Sequence, residues 1–244
     1  MIFKRLCFKY RDEYRGFLKG IGDQMKILVV AAHPDDEVLG VGGTIAKHVQ
    51  DGDEVFVCVF SEGRAEPVSL QEKGKLKQNA LDSSKLLGVK KTVFLRLPDQ
   101  KFDSLPILHI IQKLEDFVNE VKPDIVYTHN ESDLNRDHRV AFEASMVAAR
   151  PHGGTVKKIL SYEVPSSTEL ASPESRKIFS PNLYINIEKT LDKKLEAMKI
   201  YGSEFRPFPH PRSIEALKAW AVTRGVEAGL PAAECFMIIR EIKD

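Results

Sequence analysis

The run Ile27-Leu28-Val29-Val30-Ala31 has no polar residue on either of the two faces an extended chain presents. A strand that is apolar on both sides must be covered on both sides, so 26–31 predicts a buried strand of a parallel sheet, not one with a wet face. The rest of the chain supplies what such a sheet needs. Helical patterns are expected over 43–50, 75–87 (ending at Gly88), 105–121 (stopped before Pro123), 139–149 (halting at Pro151), 191–201 and 214–228. Strand patterns fall between them, over 55–60, 92–95, 124–128, 158–164, 183–187 and 234–239. No repeat or low-complexity linker interrupts the series. The expectation is one α/β domain over residues 25–244, three-layered, with helices on both faces of a mostly parallel sheet.

Composition narrows the class. A chain of 244 residues, 43% of them hydrophobic, can bury one sizeable core. A formal net charge of +1, with both signs mixed along the chain, gives no electrostatic reason to expect nucleic acid as a partner. No apolar run approaches the roughly 20 residues that span a bilayer, and charges break up the N-terminus where a secretory signal would be continuous. Cys7, Cys58 and Cys235 lie far apart without a Cys-x-x-Cys pair, which argues against a disulfide framework and for a cytoplasmic protein.

Residues 1–24 stand apart. Phe3, Cys7, Tyr10, Tyr14, Phe17 and Ile21 recur in steps of four and three, with Lys4, Arg5, Lys9, Arg11, Arg15 and Lys19 around them. This predicts an amphipathic helix packed on its own domain or on a sister subunit of a homo-oligomer; contact with an anionic membrane surface is the alternative. Met25, at the head of the first strand, is a candidate for a later translation start.

In open α/β sheets ligands bind beyond the carboxyl ends of the strands. Three such ends here carry unusual polar residues: His33-Pro34-Asp35-Asp36-Glu37, then Ser61-Glu62-Gly63-Arg64, then His129 with Asp133-Leu134-Asn135-Arg136-Asp137-His138. His33 and Asp36 sit three apart on a loop stiffened by Pro34, and His138 completes a set of two histidines and a carboxylate. Three protein ligands with an open position is the arrangement of catalytic zinc; the same set also holds Fe(II), so the residues leave both metals open. Asp35 is then free to act as a general base, and Asp137 to orient a histidine. An aspartate pair after a strand is also a common helix N-cap, so the metal reading rests on the convergence of both motifs. Gly40, Gly42 and Gly43 do not have dinucleotide-fingerprint spacing and predict close packing of a helix on the sheet. His48, His109 and His152 read as structural or loop residues.

Ala32-His33-Pro34-Asp35-Asp36-Glu37, followed by Gly42-Gly43-Thr44, strongly resembles the opening of the PIG-L/LmbE family of zinc-dependent deacetylases. The resemblance extends from about Met25 to Glu241, through Leu97-Pro98-Asp99-Gln100, the stretch 162–169 and Pro209-His210-Pro211-Arg212-Ser213. It implies a Rossmann-like fold and removal of the acetyl group from an N-acetylated sugar, free or nucleotide- or glycan-linked. It also implies zinc on His33, Asp36 and His138, with Asp35 as base. One position departs: many members carry a histidine where Asn135 stands, which leaves the carbonyl-stabilising group open among Asn135, His129, His210 and Arg212. His210 is the first candidate for that catalytic role. Glu62, Arg64, His129 and Arg212 are the expected substrate-binding residues, arginine being suited to bidentate contacts. Two rivals share the fold. A sugar-nucleotide transferase holding a metal-diphosphate on Asp35 and Asp36 would leave both histidines idle, and a sugar-binding module without catalysis would not depend on metal.

Overall fold

The computed structural model describes residues 24–63, 70–152, 154–172, 178–202 and 204–243. The helix expected over 1–24 lies outside them except for Gln24. At the centre is β1 (Lys26–Ala31), fully buried from Ile27 onward. Ile27, Val29 and Ala31 face one core and Leu28 and Val30 the other, so both faces are covered as the apolar run requires. Each such side chain contributes about 1.5–3 kcal/mol when fully buried, which makes β1 the anchor of both layers.

β1 pairs in parallel with β2 (Glu54–Ser61) on one side and β4 (Ile125–Thr128) on the other. Outward from β2 lies β3 (Lys91–Leu97), and outward from β4 lie β5 (Lys158–Tyr162), β7 (Ala233–Glu241) and β6 (Leu183–Asn186). Only β7, antiparallel to both its neighbours, runs against the rest of this sheet. Helices α1 (Asp36–Gln50), α2 (Leu70–Leu87), α5 (Leu191–Ile200) and α6 (Ile214–Glu227) bury apolar residues in one core, and α3 (Ile107–Val121) and α4 (Arg136–Ala148) in the other. The three-layer α/β expectation therefore holds, and no helix among the described residues is long and apolar enough to cross a membrane.

Two boundaries differ in ways that bear on function. Helix α1 starts at Asp36, seven residues before the expected start at 43. Three glycines lower local helix propensity there, but tertiary contact outweighs it: a Cβ on Gly40 would lie 2.2 Å from Tyr162 Cδ2, and one on Gly43 2.9 Å from Ile187. The glycines let the helix lie directly on its neighbours. Helix α4 likewise starts at Arg136, three residues early, because the Asn135 side chain caps it, accepting the Asp137 N–H at 2.9 Å.

A buried charge pair ties α1 to the distant end of the chain. Glu234 of β7 accepts the backbone N–H of Gly43 at 2.9 Å and of Thr44 at 2.7 Å. Lys194 of α5 donates to Glu234 at 2.6 Å and to the Leu39 carbonyl at 2.8 Å. Thr190 adds a hydroxyl bond to the Gly43 carbonyl at 2.8 Å.

Candidate active site

Strand order reverses between β1 and β4, since β2 and β5 extend in opposite directions from this pair. The loops leaving their carboxyl ends diverge and open a crevice, the usual ligand position in a doubly wound sheet. His33 stands on the loop after β1, Asp36 is the first residue of α1, and His138 lies in the first turn of α4. Their ligand atoms all lie within 4.8 Å of one another. Asp36 Oδ2 is 3.3 Å from His33 Nδ1 and 3.3 Å from His138 Nε2. Two ligands about 2.0–2.1 Å from a tetrahedral ion stand roughly 3.3–3.4 Å apart, so the spacing and the donor set fit a divalent cation such as zinc.

The electrostatics point the same way. Burial opposes a charge on His33, but hydrogen bonds to Asp137 and Asp36 outweigh it and lift its pKa to about 10. Burial likewise opposes charge on His138, and Asp36 and Asp133 raise it to about 9. Burial works against ionisation of Asp36 too, yet the histidines around it hold its carboxyl well below the usual range. At His33 and His138 the surrounding carboxylates favour positive charge enough to overcome desolvation, whereas burial and the neighbouring His138 push His129 beneath them well below the usual imidazole range.

Both candidate histidine ligands are held from behind. Asp137 Oδ2 lies 3.1 Å from His33 Nε2, and its Oδ1 accepts the Phe102 N–H at 3.0 Å. The expectation that Asp137 orients a histidine thus has a specific partner: His33 across the cleft, not its chain neighbour His138. Asp133 does that job for His138, with Oδ1 at 3.2 Å from Nδ1. Asp133 is itself held by Ser167 and, at 2.5 Å, by Thr168. Carboxylate–histidine contacts of this kind fix ring orientation and raise ligand basicity.

The Asp35 side chain does not cap α1. The residue occupies the N-cap position of α1 with φ 114°, and its side chain makes no capping bond. A non-glycine residue at such φ is strained, and strain of this kind persists where surrounding contacts over-determine it. Here its N–H donates to Glu37 Oε2 at 3.1 Å, Glu37 is gripped by the Tyr201 hydroxyl, and Arg212 Nη1 donates to Asp35 Oδ2 at 2.8 Å. Burial lifts the Asp35 carboxyl above the usual range while Arg212 pulls it down. Burial also lifts Glu37, to about 7.

A cavity of about 670 Å³ opens over these groups, with His33, Asp35, Asn135, His138 and Arg212 in its wall. Other expected site residues fall elsewhere. His129 is fully buried, stacked on His138 with ring centroids 4.1 Å apart, and accepts the Ala32 N–H at 2.8 Å; it props the ligand loop from beneath and has no surface for a substrate. His210 is exposed and does not line the cavity, its Nδ1 accepting the Arg212 N–H at 3.1 Å. It shapes a turn, with a cis peptide before Pro209. Glu62 pairs with Lys77 at 2.7 Å and Arg96 at 3.2 Å beside the cavity, where Gly63 is the residue in its wall. Arg64 lies outside the described residues. Sequence reasoning assigned no role to Asp99, Gln100, Ser166 or Glu204, all of which line the cavity. Asp99 follows the carboxyl end of β3, so the strand-end rule applied to a fourth strand would have found it. Nothing local marks Ser166 or Glu204.

Residues 28–149 match the family model described as GlcNAc-PI de-N-acetylase, PIG-L. The chain is 33% identical to the uncharacterized deacetylase YaiS of Escherichia coli over 72% of its own length and 90% of that protein's. It is 25% identical to the diacetylchitobiose deacetylase of Thermococcus kodakarensis, over 84% of this chain and 76% of that one. Among solved structures, the 4-carboxy-2-hydroxymuconate hydratase of Pseudomonas putida superposes with a TM-score of 0.73 at 21% identity, covering 91% of this chain and 98% of that one.

Proposed function

Because the chain belongs to the GlcNAc-PI de-N-acetylase (PIG-L) family, we propose that it hydrolyses the acetamide of an N-acetylhexosamine, free or conjugated, to the amine and acetate. The observation that carries this is the meeting of His33, Asp36 and His138 at cation spacing beside Asp35, inside one cavity. In this reading the three ligands hold zinc. A zinc ion there supplies the Lewis acidity that polarises an amide carbonyl and makes water acidic near neutral pH.

The chain's own groups do the rest. Asp35, desolvated and raised above an ordinary carboxylate, takes the proton of the attacking water and returns it to the leaving amine. Arg212 keeps that carboxylate aimed, with its Nε on Ser166 at 2.8 Å and its Nη1 on Asp35. Arg212 also lines the cavity and is the charged donor available to the carbonyl oxygen as negative charge develops there. Asn135, whose oxygen is held by the α4 cap and whose amide nitrogen has only a 3.5 Å contact with Gln100, is the weaker candidate because its N–H donor is neutral.

Acetate release from a panel of N-acetylated sugars and sugar conjugates, assayed with metal content, tests the proposal. Release that depends on metal and is lost in His138→Ala supports it. A metal-loaded protein that releases no acetate from any member but hydrates 4-carboxy-2-hydroxymuconate would move it to the chemistry named for the Pseudomonas structure. The transferase rival, built on oxygen ligands alone, predicts that His33 and His138 are dispensable for metal binding. Reconstitution of stripped protein with Zn(II) against Fe(II) decides the metal.

A further inference from the structure

Tyr201 is completely buried at the carboxyl end of α5, and three contacts explain how it reaches the loop after β1. Thr190 bonds to the Gly43 carbonyl, Lys194 to the Leu39 carbonyl, and the Tyr201 hydroxyl to Glu37 Oε1. From Thr190 to Tyr201 the partners run back along α1 to its first turn, so Tyr201 meets α1 just after Asp35. The other oxygen of Glu37 accepts the Asp35 N–H at 3.1 Å. The Tyr201 carbonyl serves a second arm: it accepts the Glu204 N–H at 2.7 Å and the Phe205 N–H at 3.2 Å. Glu204 Oε2 accepts from Arg212 Nη1 at 3.5 Å, and the same nitrogen donates to Asp35 Oδ2 at 2.8 Å. The contacts close a circuit, from Asp35 through Glu37, Tyr201, Glu204 and Arg212 back to Asp35, and Tyr201 holds both arms of it.

We propose that Tyr201 is a positioning residue for the reaction: it fixes Asp35 at its backbone through Glu37 and at its carboxylate through Glu204 and Arg212. The motion it restrains is rotation about the Asp35 N–Cα bond, which stands at φ 114°, where a non-glycine residue is strained. Left to itself the residue would turn back, and its carboxylate would swing with it. Fixing the N–H on one side of that bond and the carboxylate on the other blocks the rotation. Packing alone does not account for the arrangement. Glu37 is a third carboxylate buried next to Asp35 and Asp36, and a buried charge is costly even when it is hydrogen-bonded. Two apolar side chains of the same shape in place of Glu37 and Tyr201 would be about as stable. What they would lack is an acceptor for the Asp35 N–H. The role of Asp35 as base rests on the deacetylase reading; its restraint by Tyr201 does not.

Tyr201→Phe in the full-length, zinc-loaded protein removes only the hydroxyl. The kcat for acetate release should fall about 10- to 10²-fold, the scale of a small misplacement of a reacting group, with KM within a few-fold and zinc content unchanged. The readout specific to positioning is a double variant. On an Asp35→Asn background, Tyr201→Phe should cost no more than about twofold further, because the group it aims is already gone. Glu37→Leu combined with Tyr201→Phe strands no carboxylate, so it should fold where a single variant does not, and it should repeat the loss in kcat. Crystal structures of wild type and both Tyr201 variants read the placement without turnover: Asp35 should leave the left-handed region or lose its contact with Arg212. A wild-type kcat in Tyr201→Phe, a loss that comes with loss of zinc, or losses that multiply on the Asp35→Asn background overturns the proposal. So does an Asp35 unmoved in both variants. If wild type releases no acetate from any sugar, the deacetylase reading fails, and the crystal structures decide whether Tyr201 holds Asp35.

Discussion

Replacing Glu234 with alanine should destabilise the protein far more than an average substitution. The carboxylate touches no candidate ligand, but it is the counter-charge of Lys194, and both side chains are almost completely buried, at 4% and 6% exposed. It also accepts the Gly43 and Thr44 N–H groups in the middle of α1. Removing one partner of a buried pair strands the other charge, at a cost of about 3–5 kcal/mol. The two helix N–H groups can fall back on intrahelical carbonyls, so they add little to that figure. For a chain of this size the cost corresponds to a fall in Tm of roughly 6–20 °C. Thermal unfolding followed by circular dichroism reads it. The decisive comparison is the double variant Glu234→Ala with Lys194→Met, which removes the stranded charge and should recover part of the loss. A double variant no more stable than Glu234→Ala would refute the argument from a stranded charge, as would a single variant within about 1 kcal/mol of wild type.

Three further outcomes follow from the site. Asp35→Asn should keep the metal and lose roughly 10²- to 10⁴-fold in acetate release, the range for a general base; Asp36→Ala should lose metal and activity together, as metal analysis of both variants would check. Arg212→Ala should lower kcat by about 10²- to 10³-fold with metal retained, the scale of a missing oxyanion donor, whereas His210→Ala should stay within a few-fold, because that ring does not reach the cavity. Gly40→Ala should cost about 1–3 kcal/mol in denaturant unfolding, since its new methyl overlaps the Tyr162 ring and must push it aside.

The layering of the molecule was readable because its cause is local. A strand apolar on both faces, as in Ile27–Val30, has few places to go, and glycine and proline mark where helices stop. His33, Asp36 and His138 were readable for a related reason: the strand-end rule places the loops after β1 and β4 together whatever the rest of the chain does. What could not be read depends on long-range packing. His129 looked like a ligand-side residue from its position after β4, yet its ring turns under the site because Ala32 and Tyr162 hold its Nε2. His210 looked poised between two prolines, but the turn presents Arg212 to the cavity instead. The early start of α1 was hidden because helix propensity penalises each glycine without knowing that Tyr162 and Ile187 need the space.

The chain is divided between two tasks. Every candidate ligand, and both carboxylates behind them, precede Arg139, whereas Ser166, Glu204 and Arg212 reach the cavity from beyond β5. The loops of the second half carry no candidate ligand, and they touch the ligand geometry through Ser167 and Thr168, which hold Asp133 behind His138. A lineage built on this plan is free to shift what it accepts by editing 204–213 and the part of 163–172 outside Ser167 and Thr168, while the candidate ligands stay in the first half, the part that the family model matches. Arg212 limits that freedom. It belongs to the variable wall yet bonds to the base, so a loop exchange that fails to return a cation to Asp35 should alter the rate as well as the choice of substrate.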